Sequence, residues 1–332
     1  MQIPNALFIF DPEFFDVVYG KKERDELRTI ARFPDRCFSP DEIASCPDLL
    51  AEADFIYSGW GAPQLNDKFL CAMPRLKSFF YGAGSIKSVV TEAFWDRNIP
   101  ITSAYAANAI PVAEFTLAQI ILSLKNVWRY VPEMRKLRTY PADRQAPGTY
   151  GRTVAIISLG MIGRLLRKKL RAFDFKVIAY DPYIDPSTAA ELDVEMVSLE
   201  EAFASADIVS LHTPLLDETA GMISGKLISS MKHGATLINT ARGKIVNEPE
   251  MIEVLTKRPD LVAVLDVTEE EPPLEDSPLY SLPNVVLTPH IAGSTGADCQ
   301  RMGRYMIDET HRFLKGQNMQ WQITREIAST LA

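Results

Sequence analysis

The stretch "ISLGMIG" at residues 157–163 decides the fold, because it stands between an apolar run and a helix-like segment. A dinucleotide-binding loop carries the pattern G-x-G-x-x-G at such a place. There the second glycine lets the backbone approach a pyrophosphate, and the third lets the helix pack closely on the strand. Gly160 and Gly163 keep these two positions, whereas Ser158 replaces the first glycine. We predict a working nucleotide loop; the alternative is a turn with incidental glycines.

Short apolar runs alternate with helix-like segments throughout the second half of the chain. The runs that indicate strands are 153–158, 176–180, 207–212, 235–239, 261–267 and 284–290. Each is rich in β-branched residues and nearly continuous in hydrophobicity, as strands buried on both faces are. Helical patterns lie between most of them, for example at 161–173, at 248–258 and after a capping pair of Ser198 and Glu201. This alternation predicts a parallel, doubly wound α/β sheet.

The first hundred residues show a looser version of the same alternation. The runs there are 6–10, 54–60, 76–84 and 99–103. They predict a smaller α/β domain, and the helical segment 296–316 is expected to fold back onto it.

The segment 108–126 predicts a helix, with Asn108 as the N-cap and Pro111 near its first turn. Apolar residues cover almost every side of this helix, which is typical of a buried helix. We expect it to lie in a seam between domains or against a second subunit.

Length and charge narrow the class of protein. A chain of 332 residues favours two domains, and its net charge of −8 disfavours a nucleic-acid partner, which needs a basic face. We recognise no signal peptide, and no apolar run reaches the length of about 18 residues that suggests a membrane span. The four cysteines have no metal-site spacing, so we expect reduced thiols, no metal site and a cytoplasmic protein.

Asp181 ends the strand that follows the glycine loop, 18 residues beyond Gly163. A carboxylate at this place accepts hydrogen bonds from an adenosine ribose and repels a 2′-phosphate. No arginine follows it immediately, so NAD is favoured over NADP. The basic run 164–171 on the next helix is predicted to be a solvated face.

Three side chains of different chemistry follow the last three predicted strands, at the edge where open α/β sheets bind ligands. Arg242 follows the fourth strand, Glu271 the fifth and His290 the sixth. Arginine can hold a carboxylate through two parallel hydrogen bonds, and histidine can exchange an alcohol proton near neutral pH. Singly they could be a helix cap, a solvated acid and a core histidine. Together they predict carbonyl chemistry, with the hydride coming from a cofactor.

The segments "ISLGMIG", "NTARGKIVNE", "LDVTEEEP" and "TPHIAGST" resemble the D-isomer-specific 2-hydroxyacid dehydrogenase family, from about Tyr81 to Thr295. That family includes phosphoglycerate dehydrogenases and glyoxylate/hydroxypyruvate reductases. The resemblance implies that Arg242 binds the substrate carboxylate and that Glu271 assists His290 as acid/base. It implies NAD contacts at Gly160, Met161, Ile162, Gly163, Asp181, Thr213, Pro214, Thr240, Ala241, Asp266 and Gly293.

The resemblance also implies two Rossmann-like domains. Residues 106–291 are expected to form a doubly wound NAD-binding domain, whereas 1–105 and 292–332 form a smaller, flavodoxin-like substrate domain. A homodimer is expected through the apolar helix at 111–124. Closure of the two domains is expected to exclude water before hydride transfer.

We therefore expect an oxidoreductase that transfers a hydride between NAD(H) and a small 2-hydroxy or 2-oxo acid with D stereospecificity. The alternative is a catalytically weak, NAD(H)-sensing regulator, as in the corepressor relatives of the family. Oxidation of phosphite or another oxyanion is a third possibility.

Two departures from the family pattern bear on ligand binding. Ser158 replaces the first glycine of the nucleotide-binding pattern, and we expect this to affect the affinity for the cofactor. The loop "GAGSIKSV" at 82–89 replaces a G-x-G-x-D type of loop, although the amides near Ala83 and Gly84 can still bind a carboxylate. Lys87 in this loop is expected to be a solvated helix lysine, the alternative being recognition of a second anionic group.

Overall fold

The computed structural model describes residues 3–330 and separates the chain into two units. The first unit consists of Met1–Asn108 and Ser294–Ala332, and the second of Ala109–Gly293. Each unit is an α/β fold around one sheet, which confirms the predicted fold class.

The strands and helices are numbered along the chain. The strands are β1 (Ala6–Ile9), β2 (Cys37–Phe38), β3 (Phe55–Ser58), β4 (Ser78–Tyr81), β5 (Ile101–Ser103), β6 (Thr153–Ile157), β7 (Lys176–Tyr180), β8 (Glu195–Met196), β9 (Ile208–Leu211), β10 (Thr236–Asn239), β11 (Val262–Leu265), β12 (Val285–Leu287) and β13 (Gln322–Ile323). The helices are α1 (Phe15–Val18), α2 (Lys21–Leu27), α3 (Pro40–Ala44), α4 (Pro47–Glu52), α5 (Asp67–Cys71), α6 (Glu92–Asp96), α7 (Tyr105–Leu124), α8 (Val127–Leu137), α9 (Met161–Leu170), α10 (Pro186–Leu192), α11 (Leu199–Ser205), α12 (Gly225–Ser229), α13 (Glu248–Lys257), α14 (Asp298–Leu314) and α15 (Arg325–Thr330). Short 3-10 turns occur at Pro12–Phe14, Gly243–Ile245 and Pro278–Tyr280.

The sheet of the second unit is wholly parallel, in the order β8-β7-β6-β9-β10-β11-β12. This is the doubly wound order, in which the chain reverses direction across the sheet at β6, so that ligands bind beyond its carboxyl end. All six strands predicted for this half are present. The two-residue edge strand β8 was not predicted, because it is too short to show a periodic pattern.

The sheet of the first unit has the order β2-β1-β3-β4-β5, extended by β13. This is the flavodoxin-like order that the resemblance implied. The strand β13 pairs antiparallel with β5, with Ile323 opposite Ile101, and covers that edge of the sheet. Helix α14 packs on this sheet through Met302, Met306 and Ile307, which belong to the same buried cluster as the rings of β1 and β3.

The helix α7 begins at Tyr105, four residues earlier than an N-cap at Asn108 implies, so that N-cap assignment is wrong. The Tyr105 amide donates to Ser103 Oγ (3.2 Å), and the amide of Asn108 donates to the carbonyl of Ala104. Pro111 accordingly lies inside the helix. In the part of the chain that the structure describes, α7 is the one helix long and apolar enough to cross a membrane by length and composition, and 56% of that window is buried inside the protein.

Candidate functional site

The glycine loop follows β6 and begins α9. Ser158 has a φ of 77°, the left-handed region that favours glycine, and its amide donates to the Tyr180 carbonyl (2.8 Å). A Cβ on Gly163 would lie 2.2 Å from the Ser158 carbonyl oxygen, so only glycine lets the helix approach the strand here. A Cβ on Gly160 would meet nothing within 4 Å, and no side chain caps the N-terminus of α9.

Side chains hold this loop from both neighbouring strands. Asp181, after β7, accepts the Leu159 amide at 2.8 Å and the Tyr183 amide at 2.9 Å. On the β9 side, Ser158 Oγ donates to Thr213 Oγ1 at 3.1 Å. The serine hydroxyl therefore gives the loop a tether that glycine in the same position would lack.

The prediction that the basic run 164–171 is a solvated face is wrong in part. Arg167 is 6% exposed and donates to Asp193 Oδ2 at 2.6 Å and to the Asp193 carbonyl, so it holds the end of α10 against α9. Arg164 is exposed, but its Nε donates to the Leu159 carbonyl (2.8 Å) in the glycine loop. The run contributes to local structure rather than forming a uniform solvated surface.

Arg242 lies just after β10, in a loop that a buried asparagine folds. Asn239 is 1% exposed; its Nδ2 donates to the Arg242 carbonyl (2.9 Å), and its Oδ1 accepts the Ala241 amide (3.0 Å). The Arg242 Nη1 donates to the Ala241 carbonyl (2.7 Å). Burial lowers the pKa of the guanidinium, and the nearby Glu271 carboxylate opposes this shift. Asn239 was not predicted as a positioning residue, although it lies in the quoted motif.

Glu271 and His290 form a hydrogen-bonded pair. The His290 Nδ1 lies 2.7 Å from Glu271 Oε2, and the two side chains are 53% and 40% exposed. Because Nδ1 faces the carboxylate, Nε2 is the ring nitrogen left for a ligand. His290 has a φ of 52°, an uncommon conformation for a non-glycine residue.

The buried Asp266 holds the loop that carries His290. Its Oδ1 accepts the Thr288 hydroxyl and the Ile291 amide (2.9 Å), while its Oδ2 accepts the Ala292 amide (2.8 Å). The amide of His290 donates to the Asp266 carbonyl oxygen at 3.0 Å. The implied NAD contact of Asp266 stays a prediction, and the structure gives this carboxylate three bonds within its own unit.

Gly243 joins the Arg242 loop to the loop before Glu271. A Cβ on Gly243 would lie 1.9 Å from the Thr268 carbonyl carbon and oxygen, so the two backbones touch. The structure thus brings Arg242, Glu271 and His290 together at the carboxyl edge of the second sheet, as the sequence predicted.

The remaining implied NAD contacts also lie at this edge. Thr240 Oγ1 lies 3.0 Å from the Thr116 hydroxyl of α7, and its side chain is buried. Met161 is 37% exposed, whereas Ile162 packs on the core below α9. Pro214 follows Thr213 after β9, and Gly293 ends the loop held by Asp266.

His212 ends the predicted strand 207–212 and precedes Thr213, and the sequence assigned it no role. It is buried, its Nε2 lies 2.9 Å from Ser210 Oγ, and its Nδ1 has no hydrogen-bond partner in the described chain. Burial lowers its pKa to about 3, so the ring is neutral near pH 7.

The implied substrate loop lies in the first unit, after β4. Ala83 is buried, and Ser103 Oγ donates to the carbonyls of Ala83 (2.9 Å) and Gly84. Asn108 lies beside this loop, and its Oδ1 accepts the Ser294 amide (2.7 Å). Lys87 is exposed in a turn, so its placement on a helix is wrong.

Within residues 3–330, no group of three or more His, Cys, Asp or Glu side chains is arranged to hold a metal ion.

Comparisons with known proteins agree with this geometry. Residues 117–292 match the family model of the D-isomer specific 2-hydroxyacid dehydrogenase, NAD binding domain. The chain is 32% identical over 256 residues to D-3-phosphoglycerate dehydrogenase of Mycobacterium tuberculosis, which covers 77% of this chain and 48% of that protein. The chain thus spans about half the length of the curated relatives it matches.

Solved structures match over nearly the whole chain. A phosphoglycerate oxidoreductase from Rhizobium etli superimposes with a TM-score of 0.81 at 22% identity, covering 97% of this chain and 99% of the other. The NAD-complexed D-isomer specific 2-hydroxyacid dehydrogenase from Lactobacillus delbrueckii ssp. bulgaricus gives 0.80 at 23% identity, covering 96% and 100%. At these identities the likeness shows the fold alone.

Proposed function

Because the chain belongs to the D-isomer specific 2-hydroxyacid dehydrogenase family, we propose that it is an NAD(H)-dependent oxidoreductase acting on a small 2-hydroxy or 2-oxo acid. The observation that carries the proposal is the Glu271–His290 pair, 2.7 Å apart, with Arg242 under the influence of the same carboxylate. These are an acid/base and an anion anchor at one sheet edge. The D stereospecificity is proposed from the family.

The residues of the second unit fit NAD. The open space in front of Gly160 and the uncapped start of the ten-residue helix α9 suit a pyrophosphate, which helix N-termini favour. Asp181 stands at the end of β7, where a ribose is recognised. When bound, NAD(H) supplies or accepts the hydride, since no side chain can.

The protein's own groups do the rest of the chemistry. Arg242 binds the carboxylate of the acid through parallel N–H groups and so orients its carbonyl. His290 gives its Nε2 proton to the carbonyl oxygen during reduction and removes it during oxidation. The Glu271 carboxylate accepts a hydrogen bond from Nδ1–H, which orients the ring and stabilises the imidazolium. The amides of Ala83 and Gly84 in the first unit are also proposed to bind a carboxylate.

The proposal is tested by a steady-state assay with NADH and a panel of 2-oxo acids, with NADH binding measured separately by fluorescence. We expect oxidation of NADH with at least one short 2-oxo acid. NADH binding without turnover across a broad panel would contradict the dehydrogenase and favour the sensing regulator.

We further propose that the chain forms a homodimer. Helix α8 has no buried residue, and it exposes Val131 (43%), Met134 (40%) and Leu137 (47%) at a spacing of three residues. The neighbouring α7 has further half-buried apolar side chains. A contiguous apolar surface of this kind is typical of an interface between subunits.

Light scattering after size exclusion tests the dimer. We expect the mass of a dimer for the wild type and of a monomer for Met134→Glu, while Leu49→Glu, at a comparably exposed (38%) leucine of α4, stays dimeric. A wild-type monomer would contradict the proposal.

A cytoplasmic location is also proposed. It is supported by four free cysteines, of which Cys37 and Cys299 are buried. Fractionation of cells expressing the tagged chain tests it, and recovery in the membrane or secreted fraction would contradict it.

A further inference from the structure

Tyr183 and Glu218 join two loops of the second unit across the end of its first strand. Tyr183 follows β7 and Glu218 follows β9, and the tyrosine Oη donates to Glu218 Oε1 at 2.9 Å. In the sheet order β9-β6-β7, the strand β6 lies between the other two. The hydrogen bond therefore spans the carboxyl end of β6, where the glycine loop begins.

The same tyrosine is bonded to the ribose-recognition carboxylate. Its amide donates to Asp181 Oδ1 at 2.9 Å, while Asp181 Oδ2 accepts the Leu159 amide of the glycine loop. One residue thus connects the carboxylate of Asp181 with that of Glu218. The hydrogen bond to Glu218 raises the pKa of the Tyr183 phenol, and the charge of Asp181 adds to this in the same direction.

We propose that Glu218, held by Tyr183, is a specificity-determining residue that acts with Asp181 to exclude the 2′-phosphate of NADP. This inference rests on the proposed function and deepens it. A dinucleotide bound on the glycine loop places its adenosine ribose at Asp181. A 2′-phosphate there carries close to two negative charges and would face a second carboxylate as well as the first. No arginine or lysine occupies residues 182–185 to balance them.

The hydrogen bond to Tyr183 fixes the position of a carboxylate that is otherwise exposed. An unrestrained glutamate would turn away from an incoming phosphate at little cost, because its side chain has several rotatable bonds. The hydrogen bond between Tyr183 and Glu218 disfavours this rotation. NAD, which has only a ribose hydroxyl at that position, is not opposed by it.

The test is a fluorescence titration of NADH and of NADPH at low ionic strength, which requires no turnover. We expect Glu218→Gln to tighten NADPH binding by about threefold and leave NADH binding unchanged, since exposed charges within a Debye length are only partly screened. Tyr183→Phe keeps the Glu218 charge but removes the hydrogen bond that holds it. The ratio of NADPH to NADH affinity should therefore move in the same direction by a smaller factor.

Asp217→Asn is the matched control, since it removes the same charge one residue away. Asp217 is exposed, and the ratio of NADPH to NADH affinity in Asp217→Asn should stay close to that of the wild type. An unchanged ratio in Glu218→Gln, or an equal change in Asp217→Asn, would overturn the inference while leaving the NAD site intact. A wild type that binds neither dinucleotide would overturn the proposed function, and this inference with it.

Discussion

Aromatic rings fill the sheet of the first unit, whereas branched aliphatic side chains fill that of the second. In the first unit, Tyr57 stacks on Phe80 with ring centroids 5.0 Å apart, and Phe8 stacks on Phe33 at 4.6 Å. The core of the second unit is built mainly from Val, Ile, Leu and Ala. Among the largest fully buried side chains of the described residues, Phe203 is the one from the second unit.

The strand ends differ in the same sense. At the strand ends of the first unit, Ser58 and Ser103 are fully buried and donate to backbone carbonyls of that unit. In the second unit, Asp181 and Asp266 hold loop amides in a similar way, but the pair Glu271–His290 at that edge reaches solvent. We infer a division in which the first unit is mainly a packed frame, whereas the second unit holds the proposed acid/base pair.

The largest effect is expected from the exposed pair. His290→Ala should lower kcat by about 10³-fold or more, because general acid–base catalysis contributes about 10²–10⁴. Thermal unfolding and NADH affinity should stay near wild type. Arg242→Ala should instead raise the KM for the 2-oxo acid sharply. Near-normal turnover of His290→Ala would remove it from the mechanism, and equal losses of acid and NADH affinity would contradict the role of Arg242.

Each unit contains a glycine packed tightly against a backbone carbonyl oxygen, so substituting the two glycines compares the units. Gly163→Ala places a Cβ 2.2 Å from the Ser158 carbonyl oxygen, and Gly303→Ala places one 2.1 Å from that of Val18. Each should destabilise the fold by about 3 kcal/mol, because overpacked sites strain the backbone. In the folded fraction, only Gly163→Ala should weaken NADH binding. Calorimetry with and without NADH measures both effects; equal loss of NADH affinity in the two variants would contradict the division.

Stability should fall below neutral pH because of His212. Its folded pKa of about 3 lies below the ordinary value of 6.5, so between these values the unfolded chain binds a proton that the folded chain does not. The contribution is fully present above pH 6.5 and is lost as the pH falls, at about 1.4 kcal/mol per pH unit. The free energies of unfolding measured in urea at pH 7 and at pH 5 should therefore differ by about 2 kcal/mol. His212→Gln should flatten the dependence, and an unaltered slope would show another origin.

The smallest effect is expected from Tyr57 in the core of the first unit. Tyr57→Phe removes a buried hydrogen bond to the Thr310 hydroxyl (2.7 Å), which should cost about 1 kcal/mol of unfolding free energy and leave NADH affinity unchanged. Tyr280→Phe in the second unit removes an exposed bond and should cost close to nothing. Chemical denaturation compares the two variants, and a change in NADH affinity in Tyr57→Phe would contradict a structural role for Tyr57.

The sequence predicted the second unit better than the first, for a physical reason. Its strands are continuous apolar runs followed by motif residues, so both the sheet and the meeting of Arg242, Glu271 and His290 were visible in advance. The edge strands β2, β8 and β13 were missed, because two residues show no period. The start of α7 was misjudged, since Asn108 and Pro111 imitate a helix beginning that Ser103 provides instead.

The hydrogen bonds that position the site residues could not be predicted. The bonds of Asn239 and Asp266 to nearby loops depend on how the chain turns after each strand, and spacing does not contain that information. The burial of Arg167 against the end of α10 is likewise a tertiary contact on a helix whose sequence looks uniformly basic.

The contact at Gly243 has a consequence for altering the choice of substrate. There is no room for a methyl group between the Gly243 backbone and that of Thr268, so we expect the segments bearing Arg242 and Glu271 to shift together. A substitution that shifts Arg242, the proposed carboxylate anchor, to suit a longer acid would also shift Glu271, the partner of His290. New acids are therefore more readily accommodated by exchanging residues outside these two segments.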